Sequence, residues 1–367
     1  MDIKLLLVFG WAFGSIPMVW SQHSKPAHTI AYHDKAQEMP DLPIGPFVRL
    51  QDGGILTVDK TESLISYDEG KSWTSFPIFR YDSTYSIRPE RALICTKKGT
   101  VILAFANDME RANWDWQEDI HDSPQAILPT YAVRSLDGGK TWQAPQKLHD
   151  DWTGAIRDMI ETSSGNIIFT TMMMQHNPGH HSVVTYTTGD EGKSWTRSNI
   201  IDLGGIGHHS GVTEATIEQL RDGRIWMLMR TMWGRFWEAY SEDNGVSWRS
   251  LDATDILAST APGMLKRLSS GRLMLIWNRP FPEGETTYPL SGGMGQWSEV
   301  PASNHRKELS IMFSEDDGKS WSDPVVVGKT DRDISYSYLF EVNPGELWLT
   351  TWRGELKAKL REQDFTN

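Results

Sequence analysis

Cysteine is almost absent: Cys95 is the only one in 367 residues, so no intramolecular disulfide can form and stability must come from a large core. Positive charge is short as well. Lys and Arg number 36 against 48 Asp and Glu, a formal charge of −12, which argues against nucleic acid as a partner because a phosphate-binding surface needs the opposite sign. An anionic ligand would need a local cluster of arginines. Long apolar runs are missing except at the start, where Lys4 precedes Leu5–Trp20 and Val19-x-Ser21 stands before Gln22. Residues 1–21 therefore read as a signal peptide with a small-residue cleavage site. That reading implies an exported chain, secreted or periplasmic, without a lipid-anchoring cysteine and with no membrane span after cleavage. No HExxH-like pair occurs, so neither a metal nor another cofactor is expected.

Tryptophan, by contrast, is abundant, with 17 residues, and five of these close a repeated octet. The pattern S/T-x-D-x-G-x-S/T-W occurs at Ser66–Trp73, Ser135–Trp142, Thr188–Trp195, Ser241–Trp248 and Ser314–Trp321. It reads as a hairpin turn. The Asp carboxylate and Ser/Thr hydroxyl accept from turn amides, the Gly takes φ > 0, and the Trp packs its ring beneath. These octets resemble the Asp-box of the sialidase (neuraminidase) superfamily, and the resemblance runs from about residue 45 to 357. Such turns are used up satisfying their own backbone, so they speak to fold and hardly to function.

The repeats align on a second set of glycines, Gly53, Gly99, Gly165, Gly223, Gly271 and Gly345, each between two apolar strands such as Ala215–Leu220 and Arg224–Met229. Six units of about four strands predict an all-β fold, a six-bladed β-propeller occupying 45–367. The sixth unit lacks an Asp-box and can supply only three strands. The lead-in segment 22–44 is expected to provide the fourth and latch the ring, with His28–His33 (HTIAYH) as its candidate strand.

Propeller topology sorts the charged residues. With each first strand starting at the upper face, the Asp-box turns fall at the lower face. Residues that begin a first strand or end a second one gather at the upper mouth of the channel. Glu214 and Tyr336 each lie nine positions before a turn glycine, Gly223 and Gly345. Arg230 ends a second strand, Arg306 precedes the strand Leu309–Phe313, and Asp122 lies in the upper loop 107–130, which also holds Asp108, Asp115 and Asp119. His176, His180, His181, His208 and His209 fall in upper loops too, as do Trp114, Trp116, Trp152, Trp233 and Trp237; hydrogen bonding suits these histidines better than metal ligation, and some of the tryptophans could stack on sugars.

The resemblance adds roles to these positions. It implies a retaining exo-α-sialidase in which Tyr336 is the nucleophile, Glu214 its base, Asp122 the acid/base and Arg88, Arg230 and Arg306 the grip on the substrate carboxylate. A tyrosine suits a substrate whose anomeric carbon bears a carboxylate, because an anionic nucleophile would be repelled. The family's first arginine stands in an Arg-Ile-Pro motif ten positions before the turn glycine. Here that position is Pro89, within Arg88-Pro89-Glu90-Arg91; a one-residue bulge would restore Arg88, and Arg91 is the alternative. A monomer acting on sialylated glycans is the expectation. A propeller glycosidase or lyase for another acidic sugar, or a non-catalytic glycan-binding module, are the other readings.

Overall fold

In the second strand of the second blade, Val101–Asn107, every residue is buried. A strand covered on both faces by neighbouring sheets has no reason to alternate apolar and polar residues, and the six blades of this all-β propeller stack in that way. The computed structural model describes residues 29–80 and 84–366; the expected signal peptide and His28 lie outside the described residues. From the axis outward, the first blade is built from Val48–Arg49, Ile55–Asp59, Glu62–Ser66 and Thr74–Pro77. The second uses Ile87–Cys95, Val101–Asn107, Thr130–Ser135 and Gln146–His149, and the third Met159–Glu161, Ile167–Gln175, His180–Thr188 and Thr196–Arg197. The fourth blade comprises Thr213–Gln219, Ile225–Arg230, Arg235–Ser241 and Arg249–Leu257. Each apolar cluster spans a junction between blades: Leu56 and Val58 meet Leu93 and Leu103, for example, and Ile168 and Val183 meet Ile217 and Met227. At about 1.5–3 kcal/mol per fully buried aliphatic side chain, these junctions replace the missing disulfides.

The Asp-boxes are built as expected, and they do more than turn the chain. In the fourth, Ser247 N and Oγ donate to the two Asp243 oxygens at 2.8 and 2.6 Å, and Gly245 N donates to Ser241 Oγ at 2.9 Å. The glycine stands at φ 79° because the turn requires it. It also faces the preceding blade so closely that a Cβ there would lie 2.8 Å from Ile168. The equivalent Gly139, Gly192 and Gly318 press on Leu56, Ile102 and Trp226 of their own preceding blades. Third-strand hydroxyls complete the seam, Ser63 Oγ donating to Gly139 O at 2.5 Å and Thr185 Oγ1 to Gly245 O at 2.7 Å. The motif recurs because each box is half of an inter-blade joint.

The ring is closed by an N-terminal strand, though not by the expected hexapeptide. Gln37–Glu38 pairs with Lys357–Arg361 and completes the sixth blade, outside Ser335–Asn343 and Glu346–Arg353. Ala31–Tyr32, inside the HTIAYH segment, pairs instead with Val325–Lys329 as a fifth strand on the fifth blade, beyond Met264–Arg267, Leu273–Trp277 and Glu308–Ser314. Where the sixth blade lacks an Asp-box, the C-terminal 3₁₀ turn Glu362–Asp364 takes over the joint: the buried Glu362 carboxylate accepts from Ser270 Oγ at 2.6 Å and Arg272 Nη1 at 3.2 Å on the fifth blade.

Candidate active site

Residues that begin first strands meet at the upper end of the channel. Thr213 pairs with Arg230 and Thr216 with Leu228, so the strand carries one extra residue and bulges at Glu214. Glu214 takes φ 40° and Tyr336 φ 63°, a region that non-glycine residues enter only when the surroundings enforce it. Both side chains are buried. The Tyr336 hydroxyl donates to Glu214 Oε1 at 3.0 Å, and Arg230 Nη1 donates to Glu214 Oε2 and reaches the Tyr336 hydroxyl at 3.5 Å.

Charge around this pair is one-sided. The guanidinium groups of Arg157, Arg306 and Arg353 lie 5.4, 5.7 and 5.1 Å from the centre of the Tyr336 ring. Arg306 is held by Asn304 Oδ1 at 2.9 Å and by the Thr260 carbonyl, and Arg157 by the Ser337 carbonyl at 2.8 Å. Arg157 Nε and Nη1, Arg230 Nε and Nη2, and Arg306 Nη1 are buried and find no partner among the described residues. Unpaired buried donors are costly in a folded protein, and a cluster of them on cations is a site for an anion. Burial pushes the Tyr336 hydroxyl above its ordinary value, with the Glu214 charge adding to this and Arg230 and Arg306 opposing it. Burial alone would raise Glu214, yet the Arg230 contact, with Arg306 and Arg157 beyond, carries it below the usual carboxylate range. A neutral phenol thus rests on an ionised carboxylate.

Two residues expected here have partners of their own. Arg88 Nη1 donates to Asp108 Oδ1 at 2.8 Å, and its buried Nε lies 3.6 Å from Glu90 Oε2 without a hydrogen-bond partner. The alternative, Arg91, donates to the Val58 carbonyl and is buried between the first two blades. The expected bulge does occur, but it holds three residues, Arg88, Pro89 and Glu90, between the pairs Ile87–Asn107 and Arg91–Phe105. Asp122 is buried and fully engaged: Oδ1 accepts from Ser123 N at 2.7 Å and His176 Nδ1 at 2.9 Å, and Oδ2 from Asn177 N at 3.1 Å. Two of these donors, His176 and Asn177, tie the loop 107–130 to the turn His176–Gly179.

A family model described as a BNR repeat-like domain matches residues 92–349, more than half of the chain. The chain belongs to this family. Among solved structures, a Dyadobacter fermentans protein of unknown function superposes with a TM-score of 0.59 at 16% identity, over 89% of this chain and 98% of that one. A Hadza microbial sialidase, Hz136, gives 0.61 at 15% identity over 88% and 66%. A Trypanosoma rangeli sialidase in complex with 2,3-difluorosialic acid, a covalent intermediate, gives 0.53 at 13% over 92% and 59%. The BNR-repeat chain therefore has a sialidase-like propeller fold.

Three residues of this BNR-repeat site escaped the sequence reading. Arg157 stands two residues ahead of the first strand Met159–Glu161, eight positions before Gly165, and Arg353 ends a second strand as Arg230 does. Glu90 lies nine positions before Gly99, the same count as Glu214 and Tyr336. The nine-position count reaches Glu90 alone; Arg157 lies at eight and Arg353 follows its turn glycine.

The loops at the upper face are tied to one another. Gly179 N donates to His121 O at 2.7 Å, Gly207 N to Gly179 O at 3.0 Å, and His208 N and His209 N to Gln296 O and Trp297 O at 2.9 Å each, which links loops from four blades in series. The His208 ring packs edge-on against Trp114 and Trp116, and His209 meets Trp297. His181 is pushed down to about 4 and His209 well below its ordinary value, in both cases first by burial, so both stay neutral beside the arginines. Among the described residues no three His, Cys, Asp or Glu side chains are grouped to hold a metal ion, and no helix is long and apolar enough to cross a membrane.

Proposed function

We propose that this protein is an exported, retaining exo-α-sialidase that hydrolyses terminal acidic sugars of the sialic acid type from glycans, acting as a monomer. The observation that carries the reading is the buried Tyr336–Glu214–Arg230 unit with unpaired guanidinium donors around it. Arg230 and Arg306, with Arg353 at the rim, would hold the substrate carboxylate. Planar guanidinium forks match a planar carboxylate. Glu214 would take the phenolic proton as Tyr336 Oη attacks the anomeric carbon, so that the nucleophile itself carries no charge toward the substrate carboxylate before bonding begins. The covalent glycosyl–tyrosine would then be opened by water. Export rests on residues 1–21.

The test is turnover of a fluorogenic sialoside beside a fluorogenic uronide by the purified protein, with the anomeric configuration of the product followed by NMR. Release from the sialoside with retention is expected. Hydrolysis of the uronide alone would move the site to another acidic sugar, and inversion would remove the tyrosyl intermediate.

A further inference from the structure

A retaining hydrolysis needs a proton donor for the leaving oxygen that later removes a proton from water. Asp122 is badly placed for it. Both its oxygens serve main-chain and imidazole donors of its own loop and of the turn His176–Gly179, and a Cβ on Gly179 would lie 2.7 Å from Oδ1, so the chain closes over it. Asp115 and Asp119 are exposed on the outside of that loop, and Asp108 is paired with Arg88.

Glu90 meets the requirements. It occupies the strand position of Glu214 and Tyr336, nine residues ahead of the turn glycine, in the second blade where those two are in the fourth and sixth. Alternate blades of a six-fold ring present one position to the axis from three sides. The bulge carrying it is pinned to the sixth blade, since the Tyr338 hydroxyl donates to Pro89 O at 2.6 Å and accepts from Arg91 N at 3.2 Å. Arg157, packed over the rings of both Tyr336 and Tyr338, connects that bulge to the nucleophile. Glu90 itself is buried, its Oε2 has no hydrogen-bond partner, and the nearest cation is Arg88 Nε at 3.6 Å. The charged groups facing it are Arg88, Glu214 and Arg157; burial, reinforced by Glu214, pushes its carboxyl upward in spite of the two arginines. Its carboxyl is displaced upward and that of Glu214 downward, the opposite displacements that acid/base pairs use.

We infer that Glu90, not Asp122, is the acid/base residue of this site, an assignment that rests on the glycosidase reading above. With the sugar carboxylate held on the side of Arg306 and Arg230, the glycosidic oxygen faces the second blade. The Glu90 carboxyl gives its proton to that oxygen as the anomeric C–O bond breaks and the bond from Tyr336 Oη forms, the phenolic proton passing to Glu214. Water then attacks the anomeric carbon and gives a proton to Glu90, while Tyr336 Oη leaves and regains its proton from Glu214. The sum is glycoside plus water giving sugar plus alcohol, with every residue restored.

The experiment compares wild type, Glu90→Gln, Asp122→Asn and Tyr336→Phe on a methylumbelliferyl sialoside, whose leaving phenol is acidic, and on a sialyl-lactose, whose leaving alcohol is not. Glu90→Gln is expected to lose about 10³-fold in kcat/KM on the sialyl-lactose but only about tenfold on the aryl sialoside. It should also lose the alkaline limb of the pH profile and gain aryl turnover with azide, as glycosyl azide. Should glutamine not be tolerated there, Glu90→Ala gives the same ratio and admits azide more readily. Asp122→Asn should keep the wild-type ratio between the two substrates. If Asp122→Asn shows the leaving-group signature and Glu90→Gln does not, the assignment is overturned while the sialidase reading stands. Equal losses of Glu90→Gln on both substrates, with the alkaline limb intact, also overturn it. No turnover of either substrate by the wild type removes both.

Discussion

Glu214 and Tyr336 come from blades two apart, yet both stand in the left-handed region, at φ 40° and 63°, and share a hydrogen bond of 3.0 Å. Neither conformation is one that Glu or Tyr chooses, and each costs of order 1–3 kcal/mol. Their surroundings hold them there: Arg230 grips the carboxylate, and arginines flank the phenol ring. Strain at two facing positions fixes where the phenol and the carboxylate meet.

If these two act as one unit, Tyr336→Phe and Glu214→Gln should each lower kcat by at least ~10³-fold, and the double variant should be little worse than either. Melting temperatures should move little, since both changes keep shape. A fluorosialoside that traps the covalent intermediate should label Tyr336 in the wild type and leave Tyr336→Phe unlabelled by mass spectrometry. Near-normal turnover by folded Tyr336→Phe would end the sialidase reading.

Arg306→Lys keeps a cation but loses the fork. It should reduce kcat/KM by about tenfold or more, some 1.4 kcal/mol, on a carboxylate-bearing substrate. Arg353 is exposed at the rim, so Arg353→Ala should act mainly through KM. A loss of the same size on an analogue whose carboxylate is reduced to an alcohol would show that Arg306 does not serve the carboxylate.

Gly245→Ala tests the inter-blade joint. Strain at φ 79° and crowding against Ile168 should together lower stability by about 1–3 kcal/mol. Ile168→Ala removes both the Cγ2 and the Cδ1 that the new methyl would meet, so in a urea titration it should cost less in the Gly245→Ala background than in the wild type. Equal costs in the two backgrounds would mean that the close approach is relaxed at no cost.

Acid should destabilise the fold earlier than its carboxylates require. His149 and His181 are both pushed down to about 4, first by burial. The unfolded chain takes up their protons below about pH 6.5, where the folded chain does not. Their contribution is therefore complete above pH 6.5 and is lost progressively down to pH 4, by at most roughly 3 kcal/mol each. The Asp-box carboxylates Asp68, Asp190 and Asp316, held down at about 2, add their own loss only below about pH 4. Urea midpoints at pH 7.5 and pH 5 should differ for wild type and differ less for His149→Gln. A flat profile between these two pH values would show that both imidazoles can charge in place.

Much of this was legible because propeller repeats count residues. The Asp-boxes and turn glycines locate every blade, and the distance from turn to strand start puts Glu214 and Tyr336 at the axis. The same count reaches Glu90, although the two arginines beside it carry the family resemblance in that stretch. What did not follow was loop conformation. Nothing in Arg88-Pro89-Glu90-Arg91 says that its bulge spans three residues and turns Arg88 toward Asp108, nor that Asp122 folds back onto Asn177 and His176. The latch was misplaced for a related reason: Gln37–Glu38 is two exposed residues with no apolar pattern, and only where the chain lands beside Lys357–Arg361 makes them a strand.

Pairing the segment Ala31–Glu38 with Val325–Lys329 and Lys357–Arg361 also sets an order of events. The first part of the ring to be synthesised is the last to find its partners, because those partners leave the ribosome some 300 residues later. Until then the fifth and sixth blades keep open edges, the condition under which strands pair with the wrong chain. A truncation ending before Lys357 would therefore expose two seams rather than one: the strand it removes, and the N-terminal residues left without it.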